Sequence, residues 1–356
     1  MRKTLLTTTA VVLAAFGVMS TGAVNTASAQ QVKGPKITLK FSLWGKRRAF
    51  TEGLEFISAE VKKRTGGNFN IRLYYGDQLS KSKENLDSIS VGAIDAALFC
   101  AAYHPGKNKP LNVLDLPFLP LGNLEVMRIV HEKVYQHPSV KKALAKWNAT
   151  VYMSNILPQY EYMGRGKPPA KVSDFKGKRL RALGGMGRAA KAIGAVPTTM
   201  PASETYTALQ RGTVDAIGFP FTYTFSAYKL DEISDWVTTN MSLGTVNCPI
   251  VFNTKVYNAL PAQYKALLQE LKLPASKAQA AAYIKKDKVN LAKWPKMMKM
   301  VKIDEAEMAE FRRIAGRPLW DQWVKDNEGE IPAQELLDLV LNTAKEATMK
   351  MNKMKK

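Results

Sequence analysis

The chain has 356 residues, 46% of them hydrophobic, with 52 Lys and Arg against 30 Asp and Glu for a formal net charge of +22. That length suggests two domains of the usual ~100–200 residues, each with enough chain for its own core. The positive field gathers anions of any kind, whether small solutes, nucleic acid or a lipid surface; the two cysteines and three histidines show no C-x-x-C and no metal-ligand spacing, which argues against a zinc site.

Arg2 and Lys3 precede an apolar stretch from Leu5 to Val18, and small residues follow up to Ala27-Ser28-Ala29. A basic start, a short apolar centre and an A-x-A site predict a secretory leader over residues 1–29, cut after Ala29. No later stretch is long and apolar enough to cross a bilayer. Without Arg2 and Lys3 the basic count falls from 52 to 50 against the same 30 acids, so the mature charge is +20. An oxidising compartment permits a Cys100–Cys248 disulfide, but two separate buried thiols are the ordinary reading for cysteines of this spacing.

Strand and helix patterns then alternate, as in an α/β protein. Ile37 to Leu43 reads as the first strand, and Phe50, Leu54, Ile57 and Val61 share a helical face stopped by Gly66-Gly67. Phe69 to Tyr75 is a second strand, and Ser80 is placed to cap a helix from Lys81 to Val91. Ala93 to Cys100 is a buried third strand. Two prolines keep Leu111 to Pro120 irregular. Leu121 to Trp147 is helical with a break near Pro138, and Thr150 to Ser154 is a strand. A second block follows: strand Arg179 to Leu183, helix Arg188 to Ile193, strand Val196 to Met200, a helix capped by Ser203, and strand Val214 to Gly218. A strand near Thr245 to Phe252 and a long helix from Pro261 come next. The last third is helix-rich and broken by Pro274, Pro295 and Pro332, and the lysines of the tail read as a solvated helix end.

Several ordered segments resemble one family. They are Tyr75-Gly76-Asp77-Gln78-Leu79 with Glu84, Gly92-Ala93-Ile94-Asp95-Ala96-Ala97 and Leu114-Asp115-Leu116-Pro117-Phe118-Leu119. The longest is Asp174-Phe175-Lys176-Gly177-Lys178-Arg179-Leu180-Arg181, followed by Pro201-Ala202-Ser203-Glu204 and Gly212-Thr213-Val214-Asp215. Together they resemble the substrate-binding proteins of tripartite ATP-independent periplasmic (TRAP) transporters, in the dicarboxylate-binding branch. The resemblance implies an α/β fold of two lobes, similar to type II periplasmic binding proteins, with an interlobe cleft and a long helix across both. It places residues 30–157 plus about 247–290 in one lobe, 158–246 plus about 291–335 in the other, and leaves 336–356 as a basic tail. It further implies periplasmic capture of a small organic acid anion for membrane permease subunits, with no catalysis and no cofactor. A monomer that binds no nucleic acid is expected.

In that family the Arg ending the K-G-x-K-I-R stretch pairs with the ligand, which points to Arg181 here. The residue type suits the role, because a guanidinium presents a planar fork to a carboxylate. Where many relatives carry an Asn after V-D-G-x-E, this chain has Phe219, and Tyr160 stands near the slot of a second polar group. Both are read either as an aromatic wall or as ordinary packing residues. A wall would favour an aromatic or hydrophobic monocarboxylate; a small dicarboxylate or an oxo or hydroxy acid is the alternative. The loop after the first strand offers Trp44 for stacking and one cation, taken as Lys46. Tyr103, ahead of His104, sits at a strand's C-terminal end, where α/β sheets bind ligands. Asn247 borders the cleft in relatives.

Gly185-x-Gly187-x-x-Ala190 also mimics a dinucleotide fingerprint with Glu204 downstream, so an exported oxidoreductase is the distant alternative. No G-x-S-x-G elbow, H-E-x-x-H or nucleic-acid motif is present. A sensor protein feeding a receptor shares all these features.

Overall fold

The computed structural model describes residues 31–354; the expected leader lies outside the described residues. The chain forms two sheets. The first contains β1 (Ile37–Ser42), β2 (Phe69–Tyr74), β3 (Ala96–Leu98) and β4 (Ala149–Met153), with a later strand, Ile250–Asn253, inserted antiparallel between β3 and β4. The second contains β5 (Tyr160–Gly164), β6 (Arg179–Arg181), β7 (Val196–Thr198), β8 (Ala216–Pro220), β9 (Trp236–Thr238) and the late strand β11 (Lys299–Val301), the inserted Ile250–Asn253 strand being β10. Their order is β2-β1-β3-β10-β4 and β11-β9-β5-β8-β6-β7, so the chain changes sheet after β4, after β9 and again after β10.

Local chemistry explains the first unit. Leu39 and Phe41 point into the core from β1, and the helix Glu52–Arg64 buries Leu54, Ile57 and Val61 on one stripe. Its end is closed by Gly66 and Gly67, both at positive φ, with the Gly67 N–H reaching the Lys62 carbonyl at 2.8 Å.

The long helix runs Ala262–Lys293 without the break expected at Pro274. Its packing explains the continuity. The backbone of Ala275 approaches Gly53 so closely that a Cβ on that glycine would sit 3.1 Å from the Ala275 carbonyl oxygen. This seats the proline turn against the helix Glu52–Arg64, and tertiary packing overrides the local penalty. The helix touches both lobes. Tyr264 stacks on Phe69 and Gln279 donates to the Phe50 carbonyl at 2.7 Å at one end. At the other, Asn290 donates to Thr222 Oγ1 at 2.9 Å and Tyr283 packs on Tyr223.

Other expectations shift. Residues 81–84 form a turn, and the helix covers only Asn85–Ser90; the Ser80 hydroxyl meets Ser88 Oγ at 2.8 Å instead of capping a backbone N–H. Ser203 is exposed inside a 3-10 turn, Ala202–Glu204, that precedes the helix Thr205–Gln210. Residues 245–249 are irregular, since their N–H groups and carbonyls go to Asp115 and the β3 end rather than to a ladder. The C-terminal residues form the helix Ala333–Met354, which buries Leu336, Leu337, Val340, Ala344 and Ala347. Its lysines are exposed on the face opposite that apolar stripe.

Candidate functional site

Arg181 closes β6 and is completely buried. Its orientation is set by main-chain carbonyls. Nε and Nη2 donate to the Met200 oxygen at 3.3 and 3.2 Å, and Nη1 donates to the Gly218 oxygen at 2.8 Å. Among the described residues no carboxylate pairs with it. A buried cation without a counter-charge is unfavourable by several kcal/mol. Of the five donors one Nη1–H is left without a partner among the described residues, while the far Nη2–H is directed to the Tyr103 hydroxyl at 3.4 Å.

The surrounding walls come from both lobes. Phe219 of β8 lies under the guanidinium, with the Arg181 Cζ 4.5 Å from its ring centroid. From the first lobe, the turn Ala101–Tyr103 brings the Tyr103 hydroxyl to 3.4 Å from Nη2 of Arg181. Trp44, Phe50, Tyr160, Tyr223 and Tyr228 complete an aromatic-lined pocket whose cavity volume is about 30 Å³, well below the ~300–1,000 Å³ typical of occupied ligand pockets. Burial holds the Tyr160 and Tyr223 hydroxyls above the ordinary tyrosine range, so both are neutral hydrogen-bond partners.

The structure thus brings together Arg181, Phe219, Tyr160, Trp44 and Tyr103 on one pocket. Two expected residues stand elsewhere. Lys46 is exposed, and the cation of its loop that lines the pocket is Arg48, folded inward by Nη1 bonds to the Trp44 and Lys46 carbonyls at 2.9 and 2.7 Å. Arg47 turns outward to Glu52 at 2.9 Å. A run of three cations carries no signal of which one turns in; the 3-10 turn Ala49–Thr51 makes that choice. Asn247 is buried behind the pocket wall, where its N–H and Nδ2 hold Asp115 Oδ1 at 2.7 and 2.9 Å, while its neighbours Val246 and Cys248 face the pocket. His104 is turned away, with Nε2 3.2 Å from the Ser82 carbonyl; burial lowers its pKa to about 4 and keeps it neutral.

Cys100 and Cys248 are joined in a disulfide on the pocket wall, against the expectation of separate thiols. Pairing of the Phe99 N–H with the Pro249 carbonyl and the Ala101 N–H with the Asn247 carbonyl sets the two residues opposite each other. No spacing rule reveals this, because the bridge spans 148 residues. The Gly185-x-Gly187 turn has a packing cause as well. A Cβ on Gly185 would meet the Asp115 carbonyl oxygen at 2.3 Å, so close packing against the Asp115–Pro117 segment accounts for that glycine.

Two α/β lobes, a helix bridging them and an enclosed pocket at their junction define a solute-binding protein of the two-lobe class. Residues 42–326 match the family described as bacterial extracellular solute-binding protein, family 7 (DctP), and the chain belongs to it, the solute-binding family of TRAP transporters. A solute-binding protein of Albidiferax ferrireducens is 26% identical over 76% of this chain and 80% of its own length. The C4-dicarboxylate-binding periplasmic protein DctP of Rhodobacter capsulatus is 28% identical over 59% of this chain and 62% of its own. Among solved structures, a TRAP solute-binding protein from Rhodoferax ferrireducens in complex with copurified benzoate has a TM-score of 0.77 at 20% identity, covering 89% of this chain and all (100%) of that one. One from Desulfovibrio salexigens with bound orotic acid has a TM-score of 0.77 at 21% identity, covering 88% and 100%. At these identities the likeness of structures establishes the fold.

Proposed function

We propose that this chain captures an aromatic or hydrophobic monocarboxylate in the periplasm and delivers it to the membrane permease subunits of a TRAP transporter. Arg181 receives the carboxylate, Tyr103 joins it, and Phe219, Tyr160 and Trp44 enclose the apolar body. The observation that carries this reading is the fully buried Arg181 guanidinium, unpaired with any described carboxylate and walled by rings. A charge-assisted bond contributes about 1.5–3 kcal/mol, more where water is excluded. Aromatic walls add contact area with every ring they cover. The benzoate and orotate complexes of structural neighbours lend support, since both ligands are ring carboxylates.

Binding proceeds by steering, pairing and closure. The positive surface draws the anion toward the cleft. The carboxylate meets Arg181 on one lobe, and closure brings Tyr103 of the other against it and expels water. A thermal-shift panel of benzoate, phenylacetate, succinate and pyruvate tests the proposal. A ligand at a hundredfold excess over its Kd adds about 2.7 kcal/mol. The aromatic acids are expected to raise Tm; a response confined to succinate or pyruvate would establish the dicarboxylate or oxo-acid reading, which the name of the R. capsulatus relative favours.

A further inference from the structure

The pocket has a second cationic pole. Arg48 is nearly as buried as Arg181, at 8% exposure, and pairs with no described carboxylate within 4.0 Å. Three rings surround its Cζ: Phe50 at 5.0 Å, Tyr228 at 5.7 Å and Trp44 at 6.0 Å. Only Nη1 bonds to the described protein, through the carbonyls of Trp44 and Lys46. Nε and Nη2 have no protein partner among the described residues. The hydroxyls of Thr224 and Tyr228, which line the same pocket, are also buried and unpartnered. A guanidinium with free donors beside two orphan hydroxyls is a polar end built to meet something.

The two poles are joined by a wall of rings. Arg181 lies over Phe219 at 4.5 Å, Phe219 stacks on Tyr228 at 5.5 Å and 22°, and Tyr228 faces Arg48 at 5.7 Å. Both guanidiniums and this run of rings line one pocket.

We propose that Arg48 is a second recognition group of this pocket, and that the ligand is an aromatic carboxylate carrying a second electron-rich group, a hydroxyl, oxo or carboxylate oxygen, across the ring. This rests on the ring-carboxylate reading of the site and narrows it. An unsubstituted ring acid leaves both buried hydroxyls without a partner and offers no acceptor to the free Arg48 donors. A ligand oxygen there satisfies them, with Thr224 and Tyr228 each able to donate or accept.

The test is calorimetry with benzoate, 3-hydroxybenzoate, 4-hydroxybenzoate and terephthalate, on the parent protein and on Arg48→Met. At least one doubly substituted acid is expected to bind the parent about tenfold or more tighter than benzoate, the gain of one charge-assisted bond. In Arg48→Met that ratio falls to about 1. If benzoate binds the parent as well as every substituted acid, the inference is overturned while the ring-carboxylate reading stands. A ratio that survives in Arg48→Met overturns it too. If no ring acid binds at all, both fall. Should that variant not fold, Arg48→Gln takes its place in the same comparison.

Discussion

The hydroxyl of Tyr103, on the first lobe, accepts the backbone N–H of Ala202, on the second, at 3.1 Å. The same oxygen lies 3.4 Å from Arg181 Nη2. Both contacts use its lone pairs as acceptors, so the phenol proton is free to be donated to a bound carboxylate. Tyr103 thus joins the first lobe to Ala202 and to the buried Arg181 guanidinium of the second through a single atom.

Removing that atom should weaken binding without dissolving the fold. Tyr103→Phe retains the ring, which packs edge-on against Trp44 with centroids 5.9 Å apart. It leaves the Ala202 N–H unpaired in the closed form only. We expect affinity for the preferred acid to fall by about 1.5–3 kcal/mol, roughly 10- to 150-fold, with Tm of the free protein little changed. Calorimetry alongside thermal melts checks this; a large drop in Tm with unchanged affinity would make Tyr103 a packing residue.

Arg181→Lys separates charge from geometry. Lysine keeps the positive charge but cannot hold Met200 and Gly218 carbonyls while offering a flat edge to a carboxylate. Affinity is expected to drop by at least tenfold, about 1.4 kcal/mol. Phe219→Leu keeps the volume of the wall and loses the ring under the guanidinium. An aromatic pair contributes ~0.5–1.5 kcal/mol beyond its buried area, and only a ring ligand can make one with Phe219, so aromatic acids should lose more affinity than aliphatic ones of equal size. Equal losses would reduce Phe219 to filler.

How far the sequence reached follows from which forces it encodes locally. Strand alternation in Ile37–Ser42, the apolar stripe of Glu52–Arg64 and the glycine stop at Gly66-Gly67 are set within a few residues, and all are found near the expected places. The helix start at Ser80 failed because that hydroxyl is taken by Ser88, and Pro274 failed to break its helix because Gly53 lets two helices meet there. Within the site, Arg181 was legible because a motif ends on it. Arg48 was hidden among three adjacent cations, and the residues Tyr223, Thr224 and Tyr228 sit on a short turn of helix with no pattern to mark them. The Cys100–Cys248 bridge depends on two segments meeting across the whole first half of the fold, which no local rule reports.

That bridge should matter to stability. It closes a loop of 148 residues, and a native disulfide of this kind contributes about 2–5 kcal/mol, chiefly by restricting the unfolded chain. Replacing both cysteines by serine, or melting under reductant, is expected to lower Tm clearly. Because Cys100 leads directly into the turn that carries Tyr103, the reduced protein should also bind more weakly. Melts that are identical with and without reductant would show that the thiols are not bridged in solution.

Asp115 predicts how stability changes with pH. Its Oδ1 is held by Asn247, its Oδ2 is buried without a partner, and burial pushes its pKa up to about 7, the Asn247 hydrogen bonds opposing. In the unfolded chain the same carboxyl titrates near 3.9. Below about pH 4 it is protonated in both states and contributes nothing to the pH dependence. Between about 4 and 7 the folded protein keeps a proton that the unfolded chain has released, so stability declines as pH rises; above 7 the full penalty of a buried anion remains. Asp115→Asn removes the titration and keeps an acceptor oxygen for Asn247. The variant should therefore melt close to the parent at pH 4 and increasingly above it up to pH 8, by roughly 2–4 °C for each kcal/mol of penalty. Taking the difference between the two proteins cancels the other buried groups, including Glu161, raised to about 7, and His131, lowered to about 3. A gap that stays constant from pH 5 to 8 would mean that Asp115 keeps one protonation state throughout.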